Sequence, residues 1–234
     1  MRLFKYLPNA ITLLNALAGC LSIVFAFEKA YTAAAALIAL AAVFDFLDGL
    51  AARLFQAYSP LGKELDSLAD VISFGLAPAM MVFNYYRDLT PGLLSENTIH
   101  ILAYSAFILP LFSALRLAKF NIDERQSRGF IGLPTPANAL FWAFGVAAIQ
   151  EYNLPVLSLA IPILILLFSW LLVSPIPMFS LKFSRFTISG NRLRYFFLSG
   201  CIVLVLLIGW QAIALCVVWY ILLSLFTKAD KHLQ

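Results

Sequence analysis

Long apolar runs separated by short polar joints occupy almost the whole chain. Uncharged or nearly uncharged stretches run from about Asn9 to Phe27, Tyr31 to Phe55, Leu61 to Tyr86, Ile99 to Leu115, Pro136 to Gln150 and Leu154 to Val173. A helix needs about 20 apolar residues to cross a hydrocarbon core about 30 Å thick, so each stretch predicts one span. The last stretch, Tyr195 to Thr227, would be roughly 50 Å long as one helix at about 1.5 Å per residue, too long for a single span. Gly209 and Gln211 near its middle predict a tight hairpin. The pattern therefore predicts an all-α, polytopic transmembrane bundle of about eight helices. It reads as one integral membrane domain over residues 1–234, with a core at about 1–190 and a C-terminal hairpin at about 191–228. Pro134-Thr135-Pro136 and Ser174-Pro175-Ile176-Pro177 mark helix boundaries, since proline cannot continue a helical ladder from within.

Composition agrees: 62% of the residues are hydrophobic and 12% charged, against about 25% charged in a soluble domain. The net charge of +4 would suggest nucleic acid in a soluble protein, but here the basic residues sit between apolar runs, where they orient helices, so no nucleic-acid partner is expected. Fourteen lysines and arginines fall on one predicted side, namely Arg2, Lys5, Arg53, Lys63, Arg116, Lys119, Arg125, Arg128, Lys182, Arg185, Arg192, Arg194, Lys228 and Lys231; only Lys29 and Arg87 fall on the other. Cytoplasmic flanks carry such an excess, which places both termini and the loop between helices two and three in the cytoplasm. Arg2 and Lys5 before Leu17-Ala18-Gly19-Cys20 imitate a lipoprotein processing site, yet the chain continues into more membrane, so the segment is read as a retained first helix. Cys20, Cys201 and Cys216 show no pairing pattern and read as small buried hydrophobes. The connection from Ser174 to Arg194, with Phe179, Phe183 and Phe186 beside Lys182 and Arg185, reads as a surface loop with interfacial aromatics or an amphipathic segment near a lipid headgroup.

The second helix should be a plain apolar span, but its cytoplasmic third reads Asp45-Phe-Leu-Asp48-Gly49-Leu-Ala-Ala52-Arg53. Ionisable groups within a span are costly and mark ion or substrate sites facing the bundle interior. Asp45 and Asp48, three apart, share a helical face. The third helix starts near Gly62 and carries Asp66 and Asp70, four apart and again on one face. With the intervening turn centred near Tyr58, both pairs lie at similar depths, so the four carboxylates converge. Mutual repulsion forbids four ionised carboxylates in one cleft unless cations neutralise them. An all-oxygen donor set favours Mg²⁺, Mn²⁺ or Ca²⁺ over zinc, and four carboxylates suit a bridged pair of ions of the kind that assists phosphoryl displacement. His100, on the opposite side, and His232, in the tail, are not expected as ligands. Structural ion pairing is the competing explanation, with Arg53 and Lys63 as the nearby partners. Gly49, Ala52 and Gly62 lack bulk where the two helices would meet. That permits either close helix packing or a nucleotide lying against the backbone, with Arg53 for its phosphates.

Together these residues spell D-x2-D-G-x2-A-R-x8-G-x3-D-x3-D, which resembles the signature of the CDP-alcohol phosphotransferase family with no departure across eight positions. The resemblance implies transfer of a substituted phosphate from a CDP-linked donor to an alcohol, with release of CMP. It implies that Asp45, Asp48, Asp66 and Asp70 bind divalent metal, two Mg²⁺ or Mn²⁺ ions, and that Asp48, Gly49, Ala52, Arg53, Gly62 and Asp66 line the cytidine diphosphate site. Asp70 corresponds to the family's catalytic base, consistent with an alcohol that must lose its proton as it attacks phosphorus. The family also suggests a homodimer.

Outside the signature, Glu64 to Pro78, Leu115 to Asn121, Gly132 to Ala137 and Pro177 to Lys182 resemble the integral membrane phosphatidylserine synthases of that family. The implied substrates are CDP-diacylglycerol and L-serine, used at the cytoplasmic face of the cell membrane with the lipid tails left in the bilayer. Arg116 and Lys119 are candidates for the serine carboxylate, and Asn15 and Asn121 for further acceptor contacts; each also has a bland reading, as topogenic charge or as an interhelical hydrogen bond. Two alternatives stand beside this reading: the same chemistry with glycerol 3-phosphate or an inositol compound, and a secondary transporter or cation channel, in which intramembrane carboxylates carry ions.

Overall fold

The computed structural model describes residues 6–89, 95–123, 130–181 and 191–226. Arg2, Lys5, Arg125, Arg128, Lys182, Phe183, Arg185, Phe186, Lys228, Lys231 and His232 lie outside the described residues. The protein is an all-α, polytopic helical bundle. Its helices are α1 (Leu7–Phe27), α2 (Tyr31–Leu54), α3 (Pro60–Asp88), α4 (Glu96–Ile122), α5 (Thr135–Glu151), α6 (Ile161–Val173), α7 (Arg192–Ile208) and α8 (Ala212–Phe226). The first four are each long and apolar enough to cross a membrane.

Local chemistry sets most of these boundaries. Ser59 caps α3, accepting a hydrogen bond from the Gly62 N–H at 3.0 Å, with Pro60 in the first turn. The hairpin between α7 and α8 turns at Gly209, whose φ of 89° suits a residue without a Cβ. The sixth helix starts at Ile161 rather than near Leu154, because Pro155 and Pro162 interrupt the ladder and Pro155–Leu159 forms a 3-10 turn instead. Within α3 a π-helical turn covers Val71–Leu76. Pro78 has no N–H for the carbonyl one turn back and crowds it, and a wider turn relieves that conflict.

The buried face of α1 carries Thr12, Asn15, Ala18, Gly19, Ser22 and Ala26, while Leu13, Leu14, Leu17, Leu21 and Val24 point outward. Lipid solvates leucine as well as a protein core does, so small and polar residues go to the helix contacts, where they permit close approach and hydrogen bonding. α1 packs along both α2 and α3. At one end of the bundle Lys29 pairs with Asp88 at 2.8 Å and Tyr31 donates to the same carboxylate at 2.8 Å, so Lys29 and Arg87 share that end. At the other end the Lys63 ammonium donates to the Asn121 carbonyl at 2.8 Å.

Two short strands, β1 (Phe130–Ile131) and β2 (Pro177–Met178), pair antiparallel and tie the segment before α5 to the one after α6. Phe179 beyond β2 is buried, packed on Phe197 and Tyr220, and its carbonyl accepts from the Tyr220 hydroxyl at 2.9 Å. This corrects the expectation of an interfacial aromatic: α7 and α8 supply the apolar surface that the sequence left unassigned. Cys20 is exposed on the outward side of α1, contrary to its reading as a buried hydrophobe.

Candidate active site

The helical spacing in α2 puts Asp45 and Asp48 on one face, and the spacing in α3 does the same for Asp66 and Asp70. One carboxylate oxygen from each of Asp45, Asp48 and Asp66 lies within 4.8 Å of the other two. Asp66 Oδ1 is buried with no hydrogen-bond partner. Among the described residues none of the four aspartates takes part in an ion pair. The cations proposed as structural partners are engaged elsewhere: Arg53 Nε donates to the Gly49 carbonyl at 3.0 Å, and Lys63 reaches Asn121. Converging carboxylates without a protein cation, one carrying an orphaned buried oxygen, fit a hard divalent ion with oxygen ligands. His100 stands in the first turns of α4 beside Glu96, at 3.8 Å.

The first helix contributes a donor to each acidic pair. Thr12 Oγ1 donates to Asp48 Oδ2 at 2.6 Å and also lies 3.0 Å from the Pro8 carbonyl. Asn15 Nδ2 donates to Asp70 Oδ1 at 3.1 Å. Asp48 and Asp70 are the two buried members of the quartet, and these bonds offset part of the cost of holding carboxylates in a span.

Two cavities meet at the carboxylates. The larger, about 640 Å³, runs between α1, the end of α2 and the start of α3; Asn9, Thr12, Asp48, Gly49, Gly62 and Asp66 are in its lining. A Cβ built on Gly49 meets nothing within 4 Å, so that glycine opens onto the cleft rather than onto a neighbouring helix. A Cβ on Gly62 would lie 3.1 Å from Asn9 Oδ1 and from Ser59 Oγ. α1, not a direct seam between α2 and α3, therefore forms the third wall, which corrects the expectation that the small residues mark where those two helices meet. Ala52 lines this cleft, whereas Arg53 does not.

The smaller cavity, about 240 Å³, is lined by Asp45 of α2, by Asp66, Ser67 and Asp70 of α3, by Arg116, Phe120 and Asn121 of α4, and by Thr135 with the prolines that flank it. Arg116 is the one cation in its lining among the described residues, its Nε donating to the Leu133 carbonyl at 3.4 Å and its guanidinium 5.4 Å from the Phe120 ring centre. Asn121 Nδ2 donates to Ser67 Oγ at 2.8 Å, which ties the end of α4 to α3. Lys119 lies elsewhere, in a separate 470 Å³ cavity with Arg116, Asp123 and Ser174. Asn15 lines neither of the two cavities that meet at the aspartates. Sequence reasoning passed over Asn9, Thr12, Ser67 and Thr135; the legible signal was the recurrence of polar residues at Asn9, Thr12 and Asn15, three apart in an otherwise apolar helix.

A profile of the CDP-alcohol phosphatidyltransferase family matches residues 5–176, which takes in α1 through α6 and both cavities. The chain belongs to that family. Among its relatives is a CDP-diacylglycerol–serine O-phosphatidyltransferase from Mycobacterium leprae, 40% identical over 143 residues, 58% of this chain and 45% of the relative. One of the same name from Methanocaldococcus jannaschii is 37% identical over 146 residues, 62% of this chain and 63% of the relative. An archaetidylserine synthase from Methanothermobacter thermautotrophicus is 37% identical over 139 residues, 58% of this chain and 56% of the relative. The chain spans about half the length of the curated relatives it matches.

Proposed function

We propose that the protein is a membrane phosphatidylserine synthase, transferring the phosphatidyl group of CDP-diacylglycerol to the hydroxyl of L-serine with release of CMP. The observation that carries the reading is that two unequal cavities share Asp66, with Asp48 lining the larger and Asp45 and Asp70 the smaller, so that a molecule in each would meet at the aspartate cluster. The larger cleft suits the cytidine diphosphate. Asp48, Gly49, Ala52, Gly62 and Asp66 line it, and Arg53, next in sequence to Ala52, pairs with no aspartate among the described residues. The smaller suits a small zwitterion: Arg116 for the carboxylate, the acidic wall for the ammonium, and Ser67, Asn121 and Thr135 for polar contact. A phosphorylated acceptor would call for a more cationic lining. The relatives' names share serine while differing in the lipid, which supports serine as the acceptor.

Asp45, Asp48, Asp66 and Asp70 would hold Mg²⁺ or Mn²⁺, two ions in this reading, and a bound divalent ion would supply neutralisation of the phosphate charge. Asp70, lining the acceptor cavity, takes the proton of the serine hydroxyl. The Oγ–P bond forms at the diacylglycerol-bearing phosphorus, the bond to the CMP oxygen breaks, and CMP carries away the electron pair. The apolar outer faces of α1, α2 and α4 leave the acyl chains in lipid throughout. The reading places the site at the cytoplasmic face of the cell membrane and the enzyme in a homodimer.

A panel of alcohols, comprising serine, glycerol 3-phosphate and inositol, assayed for CMP release from CDP-diacylglycerol with and without Mn²⁺ or Mg²⁺, tests the proposal. Serine alone should support metal-dependent release, and Asp70→Asn should abolish it in a folded protein. Release with another alcohol and none with serine would overturn the acceptor assignment; undiminished turnover of Asp70→Asn would overturn the base.

A further inference from the structure

We infer that Asn15 is a positioning residue for Asp70, held in place by Ser73 through an approach that only Gly19 permits. This rests on the reading of Asp70 as base. Asn15 is completely buried and lines neither cavity, so it acts through another group and not on a substrate. Its side chain donates to Asp70 Oδ1 at 3.1 Å, and its backbone carbonyl accepts from Ser73 Oγ at 2.9 Å. Ser73 stands three residues beyond Asp70, and both side chains meet Asn15 on the side of α3 that faces α1. The two helices are thus stitched at a single residue, by side chain to the base and by backbone to the turn that follows it.

Gly19, one turn after Asn15, explains why the stitch can form. A Cβ there would lie 2.4 Å from Ser73 Oγ and 2.7 Å from Ser73 Cα, so any side chain would push α3 away from α1. The π-helical turn begins at Val71, directly after Asp70, and includes Ser73. A widened turn breaks the ordinary register of α3, and an external anchor there keeps the residue before it in a defined orientation. With Oδ1 tied to Asn15, the carboxylate loses the freedom to rotate, while Asp70 still lines the acceptor cavity. A terminal carboxylate torsion is otherwise broad and roughly two-fold, which would scatter the base over several orientations.

The test uses the full-length chain in detergent, as wild type, Asn15→Ala, Ser73→Ala and the double variant, with Asp70→Asn as reference. Turnover is read with serine, or with whichever alcohol proves active, so failure of the serine assignment leaves this test standing. Misplacing a reacting group by an ångström costs about 10²-fold in rate. Asn15→Ala should therefore lose about that much kcat, with donor and acceptor KM and the Mn²⁺ binding isotherm within about twofold of wild type. Ser73→Ala should lose less, and the double variant should be no worse than Asn15→Ala, because Ser73 acts through Asn15. Unchanged kcat in Asn15→Ala overturns the inference, as does additivity in the double variant or a parallel loss of Mn²⁺ affinity. If Asn15→Ala does not fold, Ser73→Ala decides: a kcat loss at constant KM supports the stitch, and wild-type turnover overturns it. Wild-type turnover by Asp70→Asn fails the base assignment itself.

Discussion

Adding a methyl group at Gly49 separates the donor cleft from the fold that surrounds it. The residue sits in the last third of α2, and a Cβ there meets no atom within 4 Å because it projects into the 640 Å³ cleft. Alanine is favoured over glycine inside a helix by about 1 kcal/mol. Gly49→Ala should therefore leave the protein at least as thermally stable as wild type. Inserting a methylene into a fitted space costs about 1–3 kcal/mol. At about 1.4 kcal/mol per tenfold, that range corresponds to roughly 5- to 150-fold weaker donor binding. The assay is CMP release against CDP-diacylglycerol concentration at saturating serine and Mn²⁺, run beside a thermal unfolding trace in the same detergent. Donor KM should rise within that range while the midpoint holds. Gly19→Ala is the contrasting control, since its methyl would meet Ser73 at 2.4 Å and 2.7 Å and should lower the midpoint. A wild-type donor KM in Gly49→Ala, or a loss of stability equal to that of Gly19→Ala, would refute the assignment of the cleft.

Other outcomes follow from the same geometry. Adding Mn²⁺ to chelated protein should raise the unfolding midpoint, because an ion that binds only the folded state at a hundredfold its Kd stabilises by about 2.7 kcal/mol. Asp66→Asn should abolish that shift, and a full shift in the variant would count against the carboxylate cluster. Arg116→Gln should raise serine KM about tenfold or more, the worth of a charge-assisted hydrogen bond, with donor KM unchanged; equal effects on both would place Arg116 outside the acceptor cavity. Gly209→Ala should destabilise by about 1–3 kcal/mol through backbone strain at φ 89°, read as a lower unfolding midpoint with unaltered KM values.

Helix number, helix type and the pairing of the aspartates were all legible in one dimension. A lipid core demands runs of about 20 apolar residues and tolerates charge only where function holds it, so the apolar helices and the acidic motif stand out against the background, although among the described residues only four of the eight helices are long and apolar enough to span. The spacing of Asp45 with Asp48 and of Asp66 with Asp70 determines which carboxylates share a helical face, whatever surrounds them. What only the tertiary structure decided is the place of α1. Periodicity says which residues lie on one face of a helix but not which helix that face meets. Thr12 beside Asp48 and Asn15 beside Asp70 depend on how closely α1 approaches its neighbours. The acceptor cavity was hidden for the same reason. Arg116 and Asn121 line one cavity with Asp70 only after α4 packs against α3, whereas Lys119, three residues from Arg116, lines only the neighbouring cavity that Arg116 also borders. Charge and polarity alone could not tell these residues apart; the rotation of α4 about its own axis, set by packing, does.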